Sequence, residues 1–156
     1  MMLVGIDEST HALAQRITKH DGIVVLASRD REAARRLSAD LGCRYVPFEG
    51  VYTTWHDVLV LVTDEAEVAL LTRQPVKDVS IHPGYLKPGM AVMDLTSPMH
   101  KTPLLEEATQ RGCAVVEPRE LLLEHVWQHV KLISGKEPAR EPLRELMQSL
   151  VPEDEE

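Results

Sequence analysis

Several features that mark particular classes of protein are scarce or missing in this sequence. Only 4% of its 156 residues are aromatic, and it has two cysteines, Cys43 and Cys113. We therefore expect an aliphatic core and two buried, reduced thiols rather than a disulfide framework. No apolar run approaches the length that crosses a bilayer, and the apolar start at 1–6 lacks the basic flank of a secretion signal. These absences predict a cytoplasmic protein without a membrane partner.

Basic residues are also fewer than acidic residues. The chain has 17 lysines and arginines against 25 aspartates and glutamates, which gives a formal net charge of −8. An acidic chain is poorly suited to binding the phosphates of nucleic acids, so we expect no nucleic-acid partner. The length favours a single domain, which we predict to cover 1–151 and to be followed by an acidic tail at 152–156.

What the sequence does contain is a regular alternation of apolar runs and amphipathic segments. Apolar runs typical of strands occupy 2–6, 23–27, 58–62 and 91–95, and two further strands are predicted at 44–46, which is short, and at 114–117. Amphipathic segments typical of helices occupy about 10–20, 31–41, 103–111, 119–134 and 142–151, and we assign no helix to 47–56 or 63–84. Strands that alternate with helices indicate an α/β fold, here a doubly wound parallel six-stranded sheet (Rossmann-type) in the order 3-2-1-4-5-6.

The turn after the first strand is where such a fold places glycines that let backbone N–H groups reach a pyrophosphate. Here only Gly5 matches the G-x-G-x-x-G/A pattern, because Asp7 stands at the second position and Thr10 at the third. A carboxylate at this helix start repels phosphate, yet it also suits the positive end of the helix dipole. Two hypotheses stay open: a loop that receives pyrophosphate, and a helix cap in a domain that no longer binds a cofactor tightly.

The end of the second strand offers another candidate site. An acid that grips an NAD ribose is expected about 20 residues after the loop, but Ser28 and Arg29 occupy that place. Arg29 suits a 2′-phosphate or an adenine face, so the sequence favours NADP over NAD as the cofactor. In the alternative interpretation, Arg29 and the arginines of 31–36 form a solvated helix face that Asp30 and Glu32 balance.

Three segments carry a resemblance to a known family. Residues 24–37 read VVLASRDREAARRL, 86–105 read LKPGMAVMDLTSPMHKTPLL, and 115–138 read VVEPRELLLEHVWQHVKLISGKEP. In this order they resemble the C-terminal, cofactor-binding half of shikimate dehydrogenases, with its Leu-Lys-Pro-Gly turn and its Thr-Pro-Leu-Leu helix start. The resemblance implies an NADP-dependent oxidoreductase that reduces 3-dehydroshikimate to shikimate in aromatic amino acid biosynthesis.

The same resemblance assigns roles to individual positions. Members of this family carry their catalytic Lys–Asp pair in an N-terminal domain to which nothing here corresponds, so it implies no catalytic residue in this chain. A separate substrate-binding catalytic domain is the implied partner. The implied cofactor-binding positions are Gly5, Asp7, Thr10, Ser28, Arg29, Asp30, Thr63 and Pro118. The implied substrate-facing positions are Ser97 and His125.

Several of these positions depart from the family pattern. Pro118 replaces a glycine beside the nicotinamide, His125 a glutamine, and Ser97 a tyrosine. The departures leave two alternatives: a non-catalytic interaction module on the same scaffold, and the cofactor domain of a quinate-type dehydrogenase. A homo-oligomer also stays open, since the apolar side of the last helix suits a second copy. His125 and His129 share a helix face, but a histidine pair without a carboxylate partner predicts no metal site.

Overall fold

Six short parallel strands form one sheet in the part of the chain that the structure describes. The structure is a computed structural model, and it describes residues 1–63, 83–97 and 100–150. The strands are β1 Met2–Val4, β2 Val25–Ser28, β3 Arg44–Pro47, β4 Val58–Leu61, β5 Ala91–Asp94 and β6 Ala114–Val115. Their order in the sheet is β3-β2-β1-β4-β5-β6, and each pair is parallel. The predicted fold class and strand order are confirmed.

Helices follow most of the strands. They are α1 Glu8–Thr18, α2 Arg31–Leu41, α3 Pro103–Gln110, α4 Pro118–Ser134 and α5 Arg140–Leu150, with 3-10 turns at Phe48–Tyr52 and Pro83–Tyr85. Asp30 caps α2, because its carboxylate accepts hydrogen bonds from the backbone N–H groups of Glu32 and Ala33 at 3.1 and 2.9 Å. Gly42 ends that helix in the left-handed conformation.

The central strands β1 and β2 are apolar on both sides because the sheet is covered on both faces. Met2 and Val4 belong to one buried hydrophobic cluster, whereas Leu3 between them belongs to another. Successive side chains of a strand point to opposite faces, which produces this alternation. Burial of both faces explains why the strands read as continuous apolar runs.

Three predicted strand boundaries are wrong by two residues. The first strand ends at Val4 instead of continuing to 6, because Gly5 follows it in the left-handed conformation. The second strand begins at Val25 rather than at Ile23, because pairing with β1 starts at Met2 and Val25, and Ile23 is left 77% exposed. The sixth strand ends at Val115 instead of continuing to 117, because the chain turns there to start α4.

Two further predictions differ from the structure: one concerns the burial of the cysteines, and the other concerns the local structure of 47–56. Cys43 and Cys113 are free thiols but half-buried rather than buried. The segment 47–56, to which we assigned no helix, contains a 3-10 turn that buries Phe48 and Val51.

Most of 63–84 and the predicted acidic tail lie outside the described residues. Among the described helices, none combines the length and apolar character needed to cross a bilayer.

Candidate functional site

Most of the predicted site residues lie at or shortly after the carboxyl ends of the strands. Gly5 follows β1, Ser28 ends β2, Thr63 comes shortly after β4, and Ser97 comes shortly after β5. The order of the sheet reverses between β1 and β4, which are neighbours. Ligands of doubly wound sheets bind outside the carboxyl ends of the strands at such a reversal. The sheet therefore brings these positions to one edge.

Gly5 and Thr63 lie against each other at the centre of this edge. The Gly5 N–H donates to the Ala27 carbonyl at 2.9 Å, and its φ of 97° belongs to the left-handed region. A Cβ added here would lie 1.9 Å from Thr63 Oγ1 and 2.8 Å from Thr63 N. Only glycine allows this approach, which leaves the turn between β1 and α1 tight.

Asp7 and Thr10 form a reciprocal cap at the start of α1. The Thr10 N–H donates to Asp7 Oδ1 at 2.9 Å, and the Asp7 N–H donates to Thr10 Oγ1 at 3.0 Å. The Thr10 side chain is fully buried, and its hydroxyl also lies 3.2 Å from the Gly5 carbonyl. This arrangement is a capping box. The Asp7 carboxylate thus already uses an N–H group at the helix start that would otherwise be open to an anion.

A cavity of about 460 Å³ lies beside the end of β2. Its walls come from β2, the start of α2 and the 3-10 turn after β3, through Ser28, Arg29, Arg31, Phe48, Glu49 and Tyr52. The Arg29 guanidinium lies over the Phe48 ring, 5.0 Å from its centroid. Ser28 is buried, and its hydroxyl accepts a hydrogen bond from the Asp30 N–H at 3.1 Å. Arg29 and Asp30 are thereby held by the strand end and the cap of α2.

Phe48 and Tyr52 were not among the predicted site residues. Their segment was left without an assigned element, and only the packing of the 3-10 turn beside β2 places them in the cavity. The sequence signal that exists is the spacing of Phe48 and Val51, which are three residues apart and both buried. That spacing suits a single helical turn, but it is too short to distinguish a turn from a loop.

A buried carboxylate at the end of β5 was also missed. Asp94 is 2% exposed. Its Oδ1 accepts from the Thr96 N–H at 2.9 Å and from Thr96 Oγ1 at 2.6 Å, and its Oδ2 accepts from Thr102 Oγ1 at 2.7 Å. Lys101 pairs with Glu117 at 3.1 Å, which ties the start of α3 to the start of α4. These contacts fix the chain on both sides of the β5–α3 connection.

The remaining predicted residues are not gathered into one group by their described contacts. Ser97 is half-buried after β5, and Pro118 is buried in the first turn of α4. His125 is exposed two turns into α4, and its ring packs against the His129 ring. Pro118 suits the first turn of a helix because that position needs no N–H donor.

The two cysteines have no feature of a nucleophilic site. Burial raises the pKa of the Cys43 thiol, partly offset by a backbone hydrogen bond. Burial also raises the pKa of the Cys113 thiol, against the smaller effect of nearby Arg111. Both shifts favour the protonated thiol, whereas a reactive cysteine needs its thiolate.

Comparison with known proteins agrees with the resemblance found in the sequence. No protein-family model matches the chain. The shikimate dehydrogenase (NADP(+)) of Acidiphilium cryptum strain JF-5 is 28% identical over 122 residues, which are 78% of this chain and 43% of that protein. The chain is similar to shikimate dehydrogenases.

Solved structures share the fold of this shikimate-dehydrogenase-like chain. A crystal structure of a shikimate dehydrogenase in complex with NADP+ matches with a TM-score of 0.76 at 19% identity, over 97% of this chain and 54% of that one. Quinate dehydrogenase from Corynebacterium glutamicum in complex with NAD matches with a TM-score of 0.75 at 20% identity, over 95% and 54% of the two chains. The chain thus spans about half the length of the relatives it matches.

Proposed function

We propose that this chain is the NADP-binding unit of a shikimate-dehydrogenase-like oxidoreductase. The observation that carries the proposal is the Arg29 guanidinium, stacked on Phe48 in a cavity at the carboxyl end of β2. The proposed reaction is the NADP-dependent reduction of 3-dehydroshikimate to shikimate, as part of aromatic amino acid biosynthesis in the cytoplasm. The similarity to the Acidiphilium cryptum enzyme supports this choice of reaction.

The cavity beside β2 fits the adenosine end of NADP. Arg29 and Arg31 both line it, and guanidinium groups suit the doubly charged 2′-phosphate that distinguishes NADP from NAD. Phe48 and Tyr52 offer aromatic surface for the adenine. Glu49 also lines the cavity and opposes an anion there. With two guanidinium groups and one carboxylate, the net charge of the cavity wall is positive and favours binding of the phosphate.

The helix start fits the pyrophosphate less well. Gly5 keeps the turn tight enough for a close backbone approach, but the Asp7 carboxylate occupies the cap of α1. Like charges about 4 Å apart near a protein surface repel by roughly 4 kcal/mol before screening by salt. We therefore propose that NADP binds more weakly here than at a glycine-rich loop, and that its adenosine end provides most of the affinity.

NADPH supplies the hydride when it is bound, and the protein supplies position. In this proposal, Arg29 and Arg31 hold the adenosine phosphate, and the turn at Gly5 lies beside the pyrophosphate. The buried Asp94 network joins the end of β5 to Thr102 at the start of α3, at the same sheet edge. A second domain, in this or another chain, holds the substrate and supplies its proton.

The capping box favours a second candidate function. If Asp7 serves only to cap α1, the chain is a non-catalytic interaction module that retains the sheet without the cofactor. In that case the stack of Arg29 on Phe48 is a surface contact. The two candidates differ in whether the chain binds a dinucleotide at all.

Calorimetric titration of the purified chain with NADPH and with NADH at low salt separates the candidates. We expect saturable binding of NADPH and at least about tenfold weaker binding of NADH, since a hydrogen bond to a charged group contributes roughly 1.5–3 kcal/mol. Binding of NADH in preference to NADPH would contradict the role of Arg29. The absence of heat with either nucleotide at millimolar concentration would favour the interaction module.

Two variants locate the binding energy. Arg29→Ala should weaken NADPH binding by about tenfold or more, while Arg35→Ala, an exposed arginine of α2 outside the cavity wall, is the charge-matched control. Asp7→Asn keeps an oxygen that can cap α1 but removes the negative charge. It should therefore strengthen NADPH binding by about tenfold. Unchanged affinity in both Arg29→Ala and Asp7→Asn would refute the proposed site.

A further inference from the structure

The exposed face of α4 carries a histidine pair that the proposed function leaves unused. His125 and His129 are one helical turn apart, both are exposed, and their ring centroids lie 4.3 Å from each other. We propose that these two imidazoles bind one late first-row divalent metal ion, with Cu²⁺ bound most tightly and Zn²⁺ less so. The sequence predicted no metal site because the pair has no carboxylate partner, and the sequence shows neither the contact of the two rings nor their hydrogen bonding.

The separation of the rings suits a shared ion. With metal–nitrogen bonds of about 2.0–2.1 Å, two imidazoles at a right angle on one ion have ring centres about 4.4 Å apart, and the observed separation of 4.3 Å is close to this value. Residues four apart on a helix lie on the same face. The helix therefore holds the pair near the required distance before any ion arrives, which lowers the entropic cost of binding.

Hydrogen bonding prepares one of the two rings as a ligand. His129 Nδ1 lies 3.0 Å from the His125 backbone carbonyl. A carbonyl oxygen only accepts, so Nδ1 carries the hydrogen and Nε2 of the neutral ring keeps its lone pair. Metal-binding histidines commonly donate their second ring N–H to a backbone carbonyl in this way. The contact thus favours the tautomer that a metal needs and restrains the orientation of the ring.

The surroundings define a site with two protein ligands. Leu121 and Leu132 line the same depression as the histidines. The carboxylate of nearby Glu124 pairs with Arg140 at 2.6 Å and accepts from Gln128 at 2.8 Å. Among the described residues, no cluster of three or more potential ligands occurs. Solvent must therefore complete the coordination, so we expect moderate affinity.

The ligand type determines which ions bind. Imidazole suits copper, nickel and zinc, and a given site generally binds Cu²⁺ more tightly than Ni²⁺ or Zn²⁺. Mg²⁺ prefers oxygen ligands and keeps its waters. We therefore expect no measurable Mg²⁺ binding at this pair.

The test is calorimetric titration of the tag-free chain with Cu²⁺ and with Zn²⁺, without nucleotide. We expect one Cu²⁺ per chain, with affinity reduced by about tenfold or more in His125→Ala and in His129→Ala. His20→Ala, which removes an exposed histidine near the end of α1, is the matched control and should bind like the unaltered chain. Electron paramagnetic resonance of the Cu²⁺ complex should show two nitrogen ligands that are lost together in the double variant.

Two outcomes would overturn the proposal. One is equal Cu²⁺ binding by the unaltered chain and the His125→Ala/His129→Ala double variant, which would place the ion elsewhere. The other is the absence of saturable Cu²⁺ binding at micromolar concentrations. Circular dichroism of each variant verifies its fold, and exposed helix positions tolerate alanine well. Because nucleotide is absent throughout, the result is independent of the proposed NADP site.

Discussion

Gly5 controls how closely the end of β1 approaches Thr63. A side chain at this position combines a left-handed backbone with a steric clash, since its Cβ would lie 2.8 Å from Thr63 N. We expect Gly5→Ala to lower the free energy of unfolding by about 3 kcal/mol or more, because backbone strain and overpacking each cost roughly 1–3 kcal/mol. Urea denaturation followed by circular dichroism measures the change.

Gly89→Ala separates the two contributions. Gly89 has a φ of 88°, close to that of Gly5, but a Cβ there would have no neighbour within 4 Å. This variant should lose only the backbone contribution, about 1 kcal/mol. Equal losses in Gly5→Ala and Gly89→Ala would mean that Thr63 yields without cost and does not constrain the turn.

The contacts of Gly5 and Asp7 show which contacts between residues can be predicted from the sequence and which cannot. Asp7 and Thr10 are three residues apart, so their cap depends on local geometry and is visible in the pattern of a helix start. The contact of Gly5 with Thr63 depends on the pairing of β1 with β4. The sequence analysis named both Gly5 and Thr63 as candidate site residues, but only the fold shows that these two residues are in contact.

At the scale of elements, Asp94 links β5 to the start of α3. Asparagine has one acceptor oxygen in place of two and cannot accept all three hydrogen bonds that Asp94 accepts from Thr96 and Thr102. We expect Asp94→Asn to lower the free energy of unfolding by about 1–3 kcal/mol, the cost of leaving a buried polar group unsatisfied. Urea denaturation measures the loss.

Thr109→Val is the control for this loss. The Thr109 hydroxyl donates to the Leu105 carbonyl within α3 at 2.8 Å, and the residue is exposed. Removing this local hydrogen bond of an exposed residue should change stability by less than about 0.5 kcal/mol. A loss in Asp94→Asn no larger than in Thr109→Val would show that the network does not stabilise the connection.

Elements were predictable where their signal was continuous. Long apolar runs indicated the buried strands, and the amphipathic segment 31–41 indicated α2 with its observed limits. The 3-10 turn at Phe48–Tyr52 was not predictable, because one turn offers too few residues for a periodic pattern. The cavity beside β2 depends on that turn, so the sequence indicated its arginine but not its aromatic wall.

At the scale of the whole molecule, α4 and α5 are attached differently from the rest. Leu123 and Trp127 are buried, yet among the described residues they belong to neither hydrophobic cluster of the sheet. Trp127 donates to the Pro138 carbonyl at 2.8 Å and lies under the Arg140 guanidinium, 4.5 Å from the ring centroid. The ion pair of Arg144 with Glu120 is exposed, and such pairs stabilise little.

This attachment predicts that α4 and α5 lose their packing before the sheet unfolds. In a Trp55→Phe background, fluorescence reports Trp127 alone, since the chain has two tryptophans. We expect the fluorescence transition at a lower urea concentration than the transition in circular dichroism, because Leu123 and Trp127 are buried outside the two hydrophobic clusters of the sheet and segments of a protein can open separately at lower free energy. Arg140→Ala should lower the urea midpoint of the fluorescence transition and leave the midpoint of the circular dichroism transition unchanged. Coincident transitions, with and without Arg140→Ala, would instead establish a single cooperative unit, in which the helix that carries His125 is as stable as the sheet.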